Sequence, residues 1–229
     1  MTRNVFWWEP YRSELATRVA TVDGPRLTVE DTIFYAFSGG QESDHGTIGG
    51  HRVVEARKAT PDIVYTLADD HGLAAGDPVD VRIDWPRRYR LMRLHFAAEL
   101  VLELVSRRLA PIEKIGAHIA EDKARIDFGL DRNITEIFAD TTREVAAIVA
   151  ADQPITSAFS DEAAGLRYWA IDGLARVPCG GTHLRRTGEV GDVTLKRKNI
   201  GKGKERIEIY LSPSPGQAVG QAVGQAVVQ

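Results

Sequence analysis

The segment RLMRLHFAAELVLEL, from Arg90 to Leu104, restricts this chain more than any other. From Leu91 to Leu109 its apolar positions are too many for a helix with one wet face, so most of the circumference must be packed. A helix of this kind belongs inside an α+β layer rather than on a surface. Among the ionisable residues that interrupt it are His95 and Glu99. They are four positions apart and share one helical face.

The chain ahead of this helix reads as strands. RLTVEDTIFYAF, GTIGGHRVVEARKA and DIVYTLAD are rich in β-branched and aromatic residues and are separated by Gly, Asp and Pro. PVDVRIDW alternates apolar Val79, Val81, Ile83 and Trp85 with polar Asp80, Arg82 and Asp84, the pattern of a half-buried strand, and Pro86 is expected to end it. Residues 1–86 are therefore expected to form a small β-barrel-like domain. Behind the helix, EKIGAHIAEDKARIDFGL predicts two strands around a polar turn at Glu121 and Asp122. NITEIFADTTREVAAIVAAD carries near-helical apolar spacing, and Asp152 to Ser160 reads as a strand. GDVTLKRKN and KERIEIYLS predict a closing hairpin around GKG. The fold class is α+β, with a second domain over residues 87–211. Residues 212–229 carry the uncharged repeat GQAVGQAVGQAVVQ, for which disorder is expected.

Composition narrows the function classes. A hydrophobic fraction of 43% among 229 residues supports a sizeable core. A net charge of −3 gives no global basis for nucleic-acid binding, so any such contact rests on local patches. No apolar run is long enough for a bilayer, and the first fifteen residues lack a signal-peptide core, so no membrane partner is expected. Cys179 is the single cysteine, which excludes an intrachain disulfide and makes a cytoplasmic location the expectation.

The helix pair has a counterpart downstream. In PCGGTH, Cys179 and His183 are also four apart, and the intervening glycines let the backbone turn tightly. Two imidazoles, a thiolate and a carboxylate (His95, His183, Cys179 and Glu99) compose a tetrahedral Zn2+ set. Any one of them alone would be an ordinary core or surface residue; the combination carries the signal. SGGQESDHGTIGG, by its shape, is a glycine-rich hairpin loop, and it lacks the Gly-Lys-Ser/Thr ending of a phosphate-binding loop. Basic residues cluster at Arg87, Arg88, Arg90 and Arg93, at Arg185 and Arg186, and along the last hairpin at Lys196, Arg197 and Lys198. Two of these clusters adjoin the metal residues, an arrangement suited to guiding a phosphate backbone. The tRNA-binding candidates are Arg87, Arg88, Arg185, Arg186, Lys196 and Lys198.

FYAFSGGQESDHGTI, IDWPRRYRLMRLHFAAE, PCGGTHLRRTGEVG and GKGKERIEI, in this order, resemble the free-standing alanyl-tRNA editing proteins. These are relatives of the editing domain of alanyl-tRNA synthetase and, more distantly, of threonyl-tRNA synthetase. The resemblance spans residues 5 to 211. It implies an N-terminal β-barrel, an α+β editing domain, a zinc site and hydrolysis of the ester joining a wrong amino acid, chiefly serine, to the 3′ end of tRNA for alanine. Mischarged tRNA is the implied partner, with no stable protein partner evident. It assigns His95, Cys179 and His183 to zinc, and Gly39, Gly40, Gln41 and Asp44 to the substrate pocket. Thr182 is placed beside the metal, with a catalytic or substrate-binding role; Gln41 and Thr182 are the candidates for reading the serine hydroxyl. The chain departs from the family twice. Glu99 stands where a second helical His is usual, and Ala36 and Ser38 stand where Pro and Gly are common. Glu99 is then a direct ligand, a catalytic general base beside a three-residue site, or the mark of a lost metal. Alternative functions are hydrolysis of another small aminoacyl ester or amide, and tRNA binding without catalysis.

Overall fold

The computed structural model describes residues 2–68 and 70–212; the repeat tail lies outside the described residues apart from Ser212. The described residues form a mixed α/β structure of mostly strands with two α-helices. Among the described residues no helix is long and apolar enough to cross a membrane.

Strands β1 (Glu14–Asp23), β2 (Arg26–Val29), β3 (Gly46–Ile48), β4 (His51–Ala59), β5 (Asp62–Leu67) and β6 (Pro78–Ile83) form a ring in the order β1-β2-β5-β4-β3-β6. Each pairing is antiparallel, and β1 meets β6 to complete the circuit. The alternation expected of PVDVRI is present: Val79, Val81 and Ile83 are buried while Pro78, Asp80 and Arg82 are exposed. The stop is different. The strand ends at Ile83, and the Asp84 carboxylate accepts the Arg87 N–H at 3.1 Å, which caps α1 (Trp85–Arg108). Pro86 sits in the first helical turn, where its missing N–H removes no helical bond. The expected division at 86/87 thus falls inside the first turn of this helix.

Helix α1 is packed nearly all round, as its sequence requires: every residue from Leu91 to Ala98 is buried. One side lies on a sheet built from β7 (Glu113–Ile119), β8 (Ala124–Gly129), β12 (Val193–Asn199) and β13 (Lys204–Leu211), in the order β12-β13-β8-β7. Ile126, Ile207 and Ile209 of this sheet share the core of α1. Helix α2 (Phe138–Ala150) contributes Val145 to the same core. A second sheet, β9 (Thr156–Asp161), β10 (Leu166–Ile171) and β11 (Ala175–Pro178), brings Trp169 against Phe96 with ring centroids 5.1 Å apart. Strands β10 and β11 are absent from the sequence expectations. The strand expected at 152–160 is shifted, to Thr156–Asp161.

RLTVEDTIFYAF does not continue as one strand. The ring strand ends at Val29; Asp31–Thr32 pairs with Arg3–Asn4 outside the ring, and the chain then crosses to the four-stranded sheet. There the Ile119 N–H donates to Gly40 O at 2.7 Å and the Glu42 N–H donates to Ile119 O at 3.0 Å. The glycine-rich loop is thereby attached to the edge of β7. A Cβ on Gly40, whose φ is +90°, would lie 2.6 Å from Ala117 O, so this contact needs glycine.

Candidate metal centre

Helix α1 and the turn after β11 bring three donors together. The ligand atoms of His95, Cys179 and His183 lie within 4.8 Å of one another. Cys179 Sγ is 3.3 Å from His95 Nε2. Glu99 Oε1 reaches two of these donors, His95 Nε2 at 3.3 Å and Cys179 Sγ at 3.6 Å. A tetrahedral ion with bonds of about 2.0–2.3 Å sets its ligands roughly 3.3–3.8 Å apart, so these edges have the right size. Gly181 makes the approach feasible, because a Cβ there would lie 2.1 Å from His95 Cε1.

Both imidazoles are oriented from behind. His95 Nδ1 donates to Gln41 Oε1 at 2.5 Å, which directs Nε2 toward Cys179 and Glu99. His183 Nδ1 is 3.0 Å from Ser157 Oγ, and its Nε2 is buried without a hydrogen-bond partner among the described residues. A sealed imidazole nitrogen with no partner is costly unless a ligand supplies one. Anchored Nδ1 with a directed Nε2 is the usual support of a metal-binding histidine. The residues therefore fit a zinc ion, by donor chemistry as well as by spacing.

The charges are strongly coupled. Burial would depress the His95 imidazole, but Cys179 and Glu99 outweigh it and push its pKa up to about 10. Burial would likewise raise Glu99, yet the hydrogen bond and charge of His95, with help from the Trp169 indole, bring it down to about 2. His183 goes the other way: burial, then the neighbouring His95 charge, hold it neutral, well below the ordinary range. A neutral His183 is ready to ligate without losing a proton.

Glu99 has a partner that sequence reasoning missed. Trp169 Nε1–H donates to Glu99 Oε2 at 3.2 Å, leaving Oε1 directed at His95 and Cys179. Ser157 was missed too. Both stand on the three-stranded sheet, Trp169 70 positions from Glu99 and Ser157 26 positions from His183.

The expected substrate residues divide. Gly39 lines the cleft at His95, Glu99 and Cys179, together with Tyr35, Ser38, Ala98, Leu102 and Lys114. Gln41 and Thr182 do not line it. They are buried, and Gln41 Nε2 donates to Thr182 Oγ1 at 3.1 Å, so the Gln41 amide is spent on His95 and Thr182. This corrects their expected contact with the serine hydroxyl: Gln41 orients His95. Gly40 serves the attachment to β7. Asp44 is corrected as well, since its buried carboxylate accepts from Arg88 Nε at 2.8 Å and from the Tyr35 N–H at 2.7 Å.

Arg88 is the matching correction among the tRNA candidates. It is fully buried, bonded to Asp44 and to the carbonyls of Pro10 and Ile33, and cannot meet a phosphate. Arg87 is also buried, held by Glu42 at 2.7 Å and Glu121 at 2.6 Å. The arginines leading into α1 lock the loop and the ring to the helix. Arg185, Arg186, Lys196 and Lys198 are exposed. Arg185 lies over the Tyr11 ring, and Arg186 pairs with Asp152. Lys196 and Lys198 are on β12, three strands from the β7 edge that lines the cleft.

With this geometry in place, known proteins give the context. Residues 173–208 match the family model described as threonyl and alanyl tRNA synthetase second additional domain. The alanyl-tRNA editing protein AlaX-M of Methanosarcina barkeri is 30% identical over 242 residues, covering 92% of this chain and 99% of that protein. The chain belongs to the alanyl-tRNA editing protein family. The AlaX-M protein of Pyrococcus horikoshii is 29% identical over 226 residues, covering 92% of this chain and 98% of its own length. The alanine–tRNA ligase of Ignicoccus hospitalis is 32% identical over 232 residues, which span 26% of the ligase. The family match thus contains Cys179 and His183, while His95, Glu99 and the glycine-rich loop lie before it in sequence.

Proposed function

We propose that this family member is an aminoacyl-tRNA deacylase that removes a wrong amino acid, serine foremost, from tRNA for alanine in trans, with a zinc ion held by His95, Cys179, His183 and Glu99. The observation that carries this reading is the convergence of anchored imidazoles, thiolate and carboxylate at the head of a cleft walled by the glycine-rich loop. Zinc bound there supplies Lewis acidity for ester hydrolysis. The protein's own residues do the rest. Gln41 and Ser157 hold the imidazoles, and the Trp169 indole holds one oxygen of Glu99 and frees the other. That arrangement supports Glu99 as a ligand rather than as a free base. Ala98, Leu102, Ile119 and Ile126 give the cleft an apolar side that limits water. Lys114 stands at the same cleft and supplies a cation for the RNA backbone. Arg185, Arg186, Lys196 and Lys198 meet tRNA farther from its acceptor end. The six-strand ring is, in this reading, the small β-barrel of the family, and the protein works in the cytoplasm.

The test is metal analysis joined to deacylation of Ser-tRNA and Ala-tRNA for alanine by the wild type, Glu99→His and Glu99→Ala. The expected result is one zinc per chain and preferential hydrolysis of the seryl ester by the wild type. Glu99→His should keep zinc and much of the rate, whereas Glu99→Ala should bind zinc more weakly. Absence of turnover in the zinc-loaded wild type would overturn the proposal.

A further inference from the structure

The turn that carries Cys179 and His183 has no regular structure of its own. Strand β11 ends at Pro178, and the next element, a short 3-10 helix, begins at Thr187. Gly180 and Gly181 give the turn wide conformational freedom, so its shape rests on bonds from outside. One residue, Arg167 on β10, meets it at both ends of Gly180. The Arg167 carbonyl accepts the Cys179 N–H at 2.9 Å, and the Arg167 Nη1 donates to Gly181 O at 3.0 Å. The other terminal nitrogen, Nη2, donates to Trp7 O at 2.8 Å, and the Trp7 indole in turn donates to Gly180 O at 3.2 Å. The guanidinium lies over the Trp7 and Phe159 rings, 5.9 and 5.3 Å from their centroids. Arg167 is 5% exposed, and among the described residues no carboxylate pairs with it. A buried cation is ordinarily matched by an anion. Burial works against the charge of Arg167, and Cys179 first and Tyr35 second support it.

We infer that Arg167 is a positioning residue of the metal centre, fixing the glycine turn so that Cys179 and His183 meet His95. The inference rests on the metal-binding part of the reading above. Gly181 stands midway between the two donors, two residues from each, so a bond to its carbonyl governs both. Gly181 also packs directly on His95, where a Cβ would lie 2.1 Å from Cε1. A shift of the turn therefore moves Cys179 and His183 against His95 together. The planar fork of arginine suits this task. Its two terminal nitrogens reach carbonyls on separate segments, which a lysine ammonium on a flexible stem does not reproduce. The charge adds to the geometry, because zinc takes the sulfur as an anion and Arg167 is a buried cation with no carboxylate of its own.

The test uses full-length protein, with zinc affinity read by competition with a chelator. Arg167→Met fills similar space without the donors and should bind zinc about 10- to 100-fold more weakly than the wild type. Arg167→Lys keeps the charge and one donor nitrogen and should fall between the two. Cobalt(II) in place of zinc reports the sulfur bond directly. The thiolate-to-cobalt absorption should be weaker in Arg167→Met at saturating metal and absent in Cys179→Ala. A role in packing alone would lower the melting temperature and leave both readouts as in the wild type. Wild-type zinc affinity and cobalt absorption in Arg167→Met overturn the inference. Should that variant fail to fold, Arg167→Lys decides, and wild-type zinc affinity there is the refuting result. These readouts concern the metal alone, so weaker zinc binding in the variants supports the inference whether or not the wild type hydrolyses the seryl ester. A zinc-loaded wild type without turnover refutes the deacylase only, and a wild type that binds neither zinc nor cobalt overturns both.

Discussion

Replacing Trp169 with Phe tests the architecture of the metal centre at its least obvious point. The indole N–H donates at 3.2 Å to Glu99 Oε2, and the Glu99 side chain is 18% exposed. A hydrogen bond to a charged, largely buried group contributes about 1.5–3 kcal/mol. Loss of a partner that orients a metal ligand typically costs about 10- to 100-fold in metal affinity. At roughly 1.4 kcal/mol per decade that is about 1.4–2.8 kcal/mol, so the two independent magnitudes agree. Trp169→Phe keeps an aromatic ring against Phe96 and removes the donor. Its packing loss affects the metal-free and the zinc-loaded protein alike, whereas the lost orientation of Glu99 affects the loaded protein. Competition with a chelator should therefore show 10- to 100-fold weaker zinc binding. Thermal melts should show a larger deficit with zinc than without it. The double variant Trp169→Phe, Glu99→Ala should be no worse in zinc affinity than Glu99→Ala alone, because the two groups act as a unit. If Trp169→Phe melts earlier but binds zinc with unchanged affinity, the indole serves packing alone and the reasoning fails.

Other consequences can be measured on the same protein. Gln41→Leu removes the acceptor from His95 Nδ1 and the donor from Thr182, and should weaken zinc about 10- to 100-fold in chelator competition, while Gln41→Glu, which keeps an acceptor, should lose less. Arg88→Met leaves Asp44 charged and buried and should destabilise the fold by about 3–5 kcal/mol in denaturant titrations. By contrast, Arg185→Ala and Lys196→Ala should leave the melting temperature unchanged while each lowers tRNA affinity and flattens its salt dependence by about one counterion. Metal-free protein should show a distinctive pH profile. His95, raised from 6.5 to about 10, contributes stability that is full below 6.5 and is lost as pH rises through 10; Glu99, lowered from 4.5 to about 2, contributes stability that is present above 4.5 and is lost as pH falls through 2. Melts in chelator should therefore decline from pH 6.5 toward 10, with a shallower decline in Glu99→Gln.

The readable parts of this fold are those whose cause is local. The alternation of Val79, Val81 and Ile83 and the all-round apolar helix at Leu91 each state their own burial, because period and packing are properties of a short window. The clustering of His95, Cys179 and His183 was legible for a similar reason: a four-residue spacing places His95 beside Glu99 on a helix, and two glycines let Cys179 and His183 converge. Arg87 and Arg88 were misread because charge in a sequence does not reveal its partner. Arg88 and Asp44 are 44 positions apart, and only the crossing of the glycine-rich loop over α1 brings them together. Ser157 and Trp169 were invisible for the same topological reason. Yet the chemistry of Trp169 contains a hint. An indole has one polar atom, and that atom can only donate. Buried at the foot of the site, it requires an acceptor on the facing helix. A carboxylate at position 99 meets that need with one oxygen and still presents the other to His95 and Cys179. An imidazole has two nitrogens, so it could do both only by accepting the indole N–H on one while ligating through the other, as an anion. Glu99 and Trp169 therefore form a matched pair, and the departure from the usual histidine is best understood together with the strand that faces it.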